Sequence, residues 1–305
     1  AVVPLPVGLI LWHVLMALLL YVCIRKLPLN QGKQIFIYWF CAHELLTALF
    51  MDQFNIVTVA LIVASFYCVE KQKDILAACF IMIGTFVKLY GVVGLAFFFS
   101  KHKVKFVASL VGWAVLFFVL PILISSPEYI IGQYQEWKMS LAGKNMENMF
   151  STMQNQSLLG LVRKISHVST YSDLWLIVPG ILAFCAPYLR FSQYKNLYFR
   201  YAFFASVLMF VVLFSTGSES STYIIAFVGV ALWFVAVPWK RSRWDIALMI
   251  FAFILTSLSP SDLFPKFIRK IYVQPYALKA LPVVLIWFKL IYEMMVRNYS
   301  DKLKE

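Results

Sequence analysis

Lys88 lies in Thr85-Phe86-Val87-Lys88-Leu89-Tyr90-Gly91, inside an apolar stretch bounded by Lys71 and Lys73 on one side and by Lys101, Lys103 and Lys105 on the other. An ammonium at such a place is costly and is as a rule paired or functional. A phosphate group would pair it, with Tyr90 two residues on; the alternative is a lysine that snorkels to the interface or is ion-paired internally. Further cations recur as Arg163-Lys164 and as Lys266, Arg269, Lys270 and Lys279. Arginine and lysine are natural partners of phosphate oxygens, and generic binding of anionic lipid headgroups is the competing explanation.

Two carboxylates are candidates for proton transfer. Glu219 stands in Ser215-Thr216-Gly217-Ser218-Glu219-Ser220-Ser221-Thr222, and Asp52 precedes Gln53-Phe54-Asn55. Either could act as acid, base or sugar ligand, or be a solvated carboxylate near a helix start. His43 and Glu44 are an ionisable pair inside an apolar run, where hydrogen bonding between helices is the expected role. Neighbouring helix positions diverge and do not build one compact site. His13 and His167 show no partner in the sequence. Cys23, Cys41, Cys68, Cys79 and Cys185 form no CxxC pair, so neither a disulfide framework nor a metal site is expected. HExxH, Walker, GxGxxG and GxSxG elements are absent from the sequence.

The elements that must position these residues follow from composition. Of 305 residues, 62% are hydrophobic and 13% charged, more apolar surface than a soluble core of this length can hide. A bilayer core takes roughly 20 apolar residues per helical span. Runs of that kind fall near 5 to 24, 34 to 50, 54 to 69, 106 to 126, 174 to 189, 199 to 216, 222 to 238, 244 to 258 and 280 to 296. That predicts nine full helical crossings, since open strands cannot span lipid. The stretch 75 to 100 is either one crossing or a hairpin of two short helices. Only the hairpin gathers the lysines and arginines, including Lys302 and Lys304, into the cytoplasmic segments; a single crossing leaves them almost evenly divided. The hairpin is therefore expected, with Lys88 at its tip, because broken helices at membrane depth usually line a polar cavity.

The net charge of +13 is then a matter of orientation, not of nucleic-acid binding. Exterior segments become Asp52 to Asn55, Pro127 to Ser172, Gly217 to Ser221 and Ser259 to Lys279. Within the long loop, Tyr129 to Trp137 reads as an amphipathic stretch suited to the membrane interface. The chain opens at Ala1 without a signal-peptide pattern, and its expected exterior position predicts an upstream span with a first exterior loop. Residues 1–305 read as one transmembrane domain, with the 127–172 loop inside it.

Several segments resemble glycosyltransferase family 87. Gln53-Phe54-Asn55 is similar to a Gly-Gln-x-Asn element, with Asp52 in place of its glycine, and Gly84 to Tyr90 resembles the lysine-bearing element that follows it. Tyr134-Gln135-x-Trp137 and Asn155-Gln156-Ser157-Leu158-Leu159-Gly160 add to the likeness, the hexapeptide being its most specific part. The resemblance implies an all-α, GT-C-like bundle that moves a hexose, often mannose, from a polyprenyl phosphate to a lipid or glycan acceptor. It implies no metal and no cofactor besides the lipid-linked donor, and a place in the bacterial cytoplasmic membrane with the active face outward. Lys88, Tyr90, Arg163, Lys164, Lys266, Arg269 and Lys270 would face the donor phosphate, while Gln53, Asn55, Asn155, Gln156 and Trp137 would face sugar or acceptor. The base would be a carboxylate: Glu219, Asp52, or an acidic residue upstream of Ala1, where the family usually carries it. A transporter or lipid flippase is the main alternative, since broken helices also mark transport, but the two halves share no internal similarity. A non-catalytic assembly subunit is the third reading.

Overall fold

The computed structural model describes residues 3–97 and 103–300, apart from the side chain of Asn145; Lys101, Lys302 and Lys304 lie outside that range. The described chain is helical, with no strand. In order come α1 (Leu5–Lys26), α2 (Gln31–Phe50), α3 (Asn55–Glu70), α4 (Asp74–Val87), a 3-10 return (Leu89–Ala96), α5 (Lys103–Val119), α6 (Pro127–Asn148) and α7 (Leu158–Ser166). Then follow α8 (Leu174–Cys185), α9 (Leu197–Leu213), α10 (Tyr223–Val235), α11 (Arg243–Phe251), α12 (Lys266–Ile268) and α13 (Leu281–Val296). A π-helical turn, Ala252–Leu258, extends α11, and a second, Arg269–Val273, extends α12.

Local chemistry sets several starts. Asn30, Ser126, Ser157, Asn196 and Ser242 each accept a backbone N–H from the first turn of the helix they precede, satisfying donors that have no intrahelical partner. The innermost pair is α9 and α10, apolar all round and almost wholly buried, as expected of helices with no face to solvent. They approach so closely that a Cβ on Gly229 would stand 2.8 Å from the Ala205 carbonyl oxygen. Around them pack α2, α3 and α13, while α1 and α5 present rows of exposed apolar side chains. Those two, Leu5–Lys26 and Lys103–Leu123, are long and apolar enough to cross a membrane; the shorter apolar helices run 10–17 residues.

The stretch around Lys88 reverses. After α4 the Lys88 backbone is extended, its N–H bonding the Gly84 carbonyl at 2.9 Å, and the 3-10 return runs back along α4. Gly91 lies against Gly84, and Gly94 against Ile81. The return ends with Phe97, fully buried against Phe66 and Phe204. A glycine is needed at 91, because a Cβ there would fall 2.4 Å from backbone atoms of Gly84 and Thr85.

Two polar ends result. At one, Arg25 bonds Gln34, Arg200 pairs with Glu70 at 2.6 Å, Arg190 donates to the carbonyls of Met295 and Arg297, and Arg241 and Lys289 share Asp245 and Glu293. At the other lie the 51–55 turn, the tip of the hairpin, the 149–160 stretch, the 214–222 turn and the start of α13. The 127–172 segment departs from a simple loop, since it folds as α6 and α7. Ser126 caps α6 and Pro127 preorganises its first turn, so the expected amphipathic stretch is the first half of a 22-residue helix.

Candidate active site

Lys88 is held by neutral partners. Its Nζ donates to Asn55 Oδ1 at 2.6 Å and lies 5.1 Å from the centre of the Tyr90 ring. Asn55, fully buried at the first turn of α3, passes its Nδ2 to Ser221 Oγ at 3.2 Å. Tyr90 shares a 3.1 Å hydrogen bond with Ser215 Oγ. The hairpin tip is thus tied at two points to the 214–222 turn. The charges acting on Lys88 are the Glu219 carboxylate and the Lys144 ammonium of α6.

Glu219 is the N-cap of the helix that begins at Ser220: its carboxylate accepts the Thr222 N–H, and its own N–H bonds Thr222 Oγ1 at 3.2 Å. The cap fixes the carboxylate while leaving the residue partly open. Beneath it, Gln156 anchors the 155–160 stretch, its N–H reaching the Ser218 carbonyl at 2.8 Å and its carbonyl accepting from the Tyr223 hydroxyl at 2.6 Å. The Gln156 side chain donates to Thr152 O at 2.6 Å and reaches Gln274 O at 3.5 Å. Asn155, in the left-handed region at φ 51°, turns its side chain to Met149 O and Ser157 Oγ. Gly160 permits this turn, since a Cβ would lie 1.7 Å from the Asn155 carbonyl oxygen. The side-chain amides of Asn155 and Gln156 thus serve their own loop, although Gln156 also borders a polar cavity of about 20 Å³ with Thr152, Ser220, Ser259, Gln274 and Lys279.

The other expected phosphate ligands do not converge on Lys88. Arg163 is buried and occupied, bonding the carbonyls of Val168, Ser169 and Tyr171 and pairing with Asp173 at 2.6 Å. Lys164 donates to Gln154 O at 3.0 Å and Asn155 O at 3.3 Å, and burial holds its pKa down to about 8. Both cations brace α7 and its flanking turns, a use that charge counting does not reveal. Arg269 folds back onto Pro260 O, Ser261 O and Asp262, while Lys266 and Lys270 are exposed. Gln53, in the 51–55 turn, and Trp137, on α6, make no side-chain hydrogen bond among the described residues.

Two pairings were not expected. Asp52, left-handed at φ 49°, meets His13 Nε2 at 2.6 Å. Glu44 and Lys279, both buried, pair at 3.0 Å, and Lys279 Nζ also reaches the Ser220 carbonyl at 3.3 Å. The signal available for the second was the presence of two opposite charges in apolar surroundings, each requiring a partner. His43 joins the same region through Ser257 Oγ at 3.3 Å.

The sequence model of Glycosyltransferase family 87 matches residues 1–216. The chain belongs to glycosyltransferase family 87. The matched part contains the 52–55 turn, Lys88, Tyr90, Trp137 and the 155–160 stretch, and it ends just before the Glu219 cap. No curated protein and no solved structure matches the chain. Family membership makes the protein a glycosyltransferase, and its exposed apolar helices suit a chain held in a membrane.

Proposed function

We propose that this family 87 chain transfers a hexose, mannose being the first to test, from a polyprenyl phosphate to a lipid or glycan acceptor on the outer face of the bacterial cytoplasmic membrane. The observation that carries the reading is the state of Lys88. At the same end, Arg163, Arg269 and Lys279 each pair with a carboxylate. Lys88 bonds only a neutral amide oxygen, and among the described residues no carboxylate lies within ion-pair distance of it. A half-buried cation held by neutral partners, with no carboxylate in direct contact, is prepared for an anion.

In the proposed step the acceptor oxygen attacks the anomeric carbon as the bond from that carbon to the phosphate oxygen breaks. The bonding pair leaves with the polyprenyl phosphate, whose added charge Lys88 stabilises, with Tyr90 and Asn55 holding the ammonium in place. A carboxylate takes the acceptor proton; Glu219 is the candidate nearest in charge to Lys88, and Asp52, oriented by His13, is the second. GT-C architecture and nine crossings belong to this proposal.

The test is transfer of radiolabelled mannose from polyprenyl-phosphate mannose to membrane lipid extracts by the purified full-length protein. Lys88→Ala is expected to lower transfer about 10²-fold or more, the usual loss when one preorganised donor to a developing anion is removed. Transfer at the wild-type rate by a folded Lys88→Ala protein overturns the donor-phosphate role, and failure with every polyprenyl-linked hexose overturns the substrate assignment.

A further inference from the structure

The segment that runs from Asp262 through the second π-helical turn has no role in the proposed transfer step. Residues 266–273 are helical, rooted by the buried Val273. They carry exposed Phe267 (65%), Ile271 (45%) and Tyr272 (49%), with Leu263 (74%) just before. Interleaved with these are Lys266 and Lys270, four residues apart and both exposed. Among the described residues no carboxylate stands within ion-pair distance of either lysine. The nearby acid, Asp262, is held by Arg269, which also clasps the carbonyls of Pro260 and Ser261 and so fixes the turn from which the segment projects.

We propose that residues 262–273 form an interfacial anchor that docks on anionic phospholipid headgroups. Aromatic and branched side chains alongside lysines are the composition that settles at the boundary of headgroups and acyl chains, with lysines reaching the phosphates. Their placement strengthens the argument. On the proposed orientation the polar end that holds Gln156 and Ser220 faces outward, where the charge rule disfavours cations, and exposed lysines without ion pairs there are placed where a negative lipid surface would attract them. The occupant is bilayer phospholipid and not the sugar donor, because among the described residues no hydrogen bond or ion pair links Lys266 or Lys270 to the Lys88 cluster, and both are flanked by exposed apolar side chains suited to lipid. Through Gln274, whose carbonyl accepts from Gln156, the anchor continues into the wall of the candidate site.

Hydrogen exchange over residues 262–273 tests this, using the full-length protein in nanodiscs of phosphatidylcholine alone and of phosphatidylcholine mixed with phosphatidylglycerol. Exchange is expected to slow several-fold in the mixed discs, and high salt should remove the difference. The Lys266→Gln/Lys270→Gln double variant should lose it as well, while exchange around Lys88 stays as in wild type. Phe267→Ser/Ile271→Ser should exchange faster in both discs. Equal exchange in the two discs, or a phosphatidylglycerol effect that survives loss of both lysines, overturns the anchor. So does slowing by polyprenyl phosphate in discs where phosphatidylglycerol has no effect, which would assign the segment to the donor.

Discussion

Lys88, half-buried, and Lys164, buried, show how two lysines at one end of the molecule come to different uses. Lys88 faces one neutral oxygen and an open side, whereas Lys164 is enclosed by the Gln154 and Asn155 carbonyls. The consequence for Lys164 is a pH dependence of stability. Burial lowers its folded-state pKa to about 8, below the roughly 10.4 of an unfolded lysine. Between those values the unfolded chain binds the proton that the folded chain has released, so stability rises as pH increases through about 8 and toward 10. Thermal unfolding in detergent across that range should show the rise in wild type and a smaller one in Lys164→Met. The variant should also be less stable throughout by ~1–3 kcal/mol, because two buried carbonyls lose their donor. A slope that Lys164→Met leaves unchanged would remove this lysine as its source.

The hairpin of α4 and its 3-10 return is the element on which the site depends most directly. Gly91→Ala would place a Cβ 2.4 Å from the Gly84 and Thr85 backbone, and backbone cannot yield as a flexible side chain can. We expect a stability loss of ~1–3 kcal/mol from overpacking, together with a fall in sugar transfer at temperatures where the protein remains folded, because the return would lift Lys88 from Asn55. Gly112→Ala on α5, where nothing lies within 4 Å of the new methyl group, is the matched control and should leave both readouts unchanged. Equal transfer by the two variants would separate the Gly84 and Gly91 contact from the placement of Lys88. This element was legible in the sequence because lysines on both flanks had to emerge on one side. The internal use of Arg163 and Lys164 was not, since a cation solvated by loop carbonyls has the same sequence appearance as one awaiting a phosphate. Helix α6 was half legible: its amphipathic start could be read, but it starts at the Ser126 cap and runs on through Gly132 and Gly143, residues that weaken a helix in sequence terms.

Across the whole molecule, contacts between distant parts of the chain decide which segments share an end. Glu44 and Lys279, 235 positions apart, join α2 to the approach to α13 behind the Ser220 turn, a partnership no local pattern announces. Removing one member strands a buried charge, so Glu44→Gln and Lys279→Met should each cost ~3–5 kcal/mol, with the double variant losing less than the sum. Additive losses in thermal or denaturant unfolding would show that the pair is not coupled. The same division into two ends makes a prediction about sidedness. On the proposed topology, in which the chain reverses at Lys88, the ends of α3 and α5 that flank the hairpin face one side of the membrane, and the 259–279 segment faces the other. In a cysteine-free background, single cysteines at Lys73 and Lys105 should react with a membrane-impermeant maleimide only after the cell membrane is opened, and one at Asp262, 99% exposed in its side chain, should react in intact spheroplasts. Opposite behaviour of positions 73 and 105 would mean that residues 75 to 100 cross the membrane once, and would move Lys88 from the tip of a hairpin to the middle of a span.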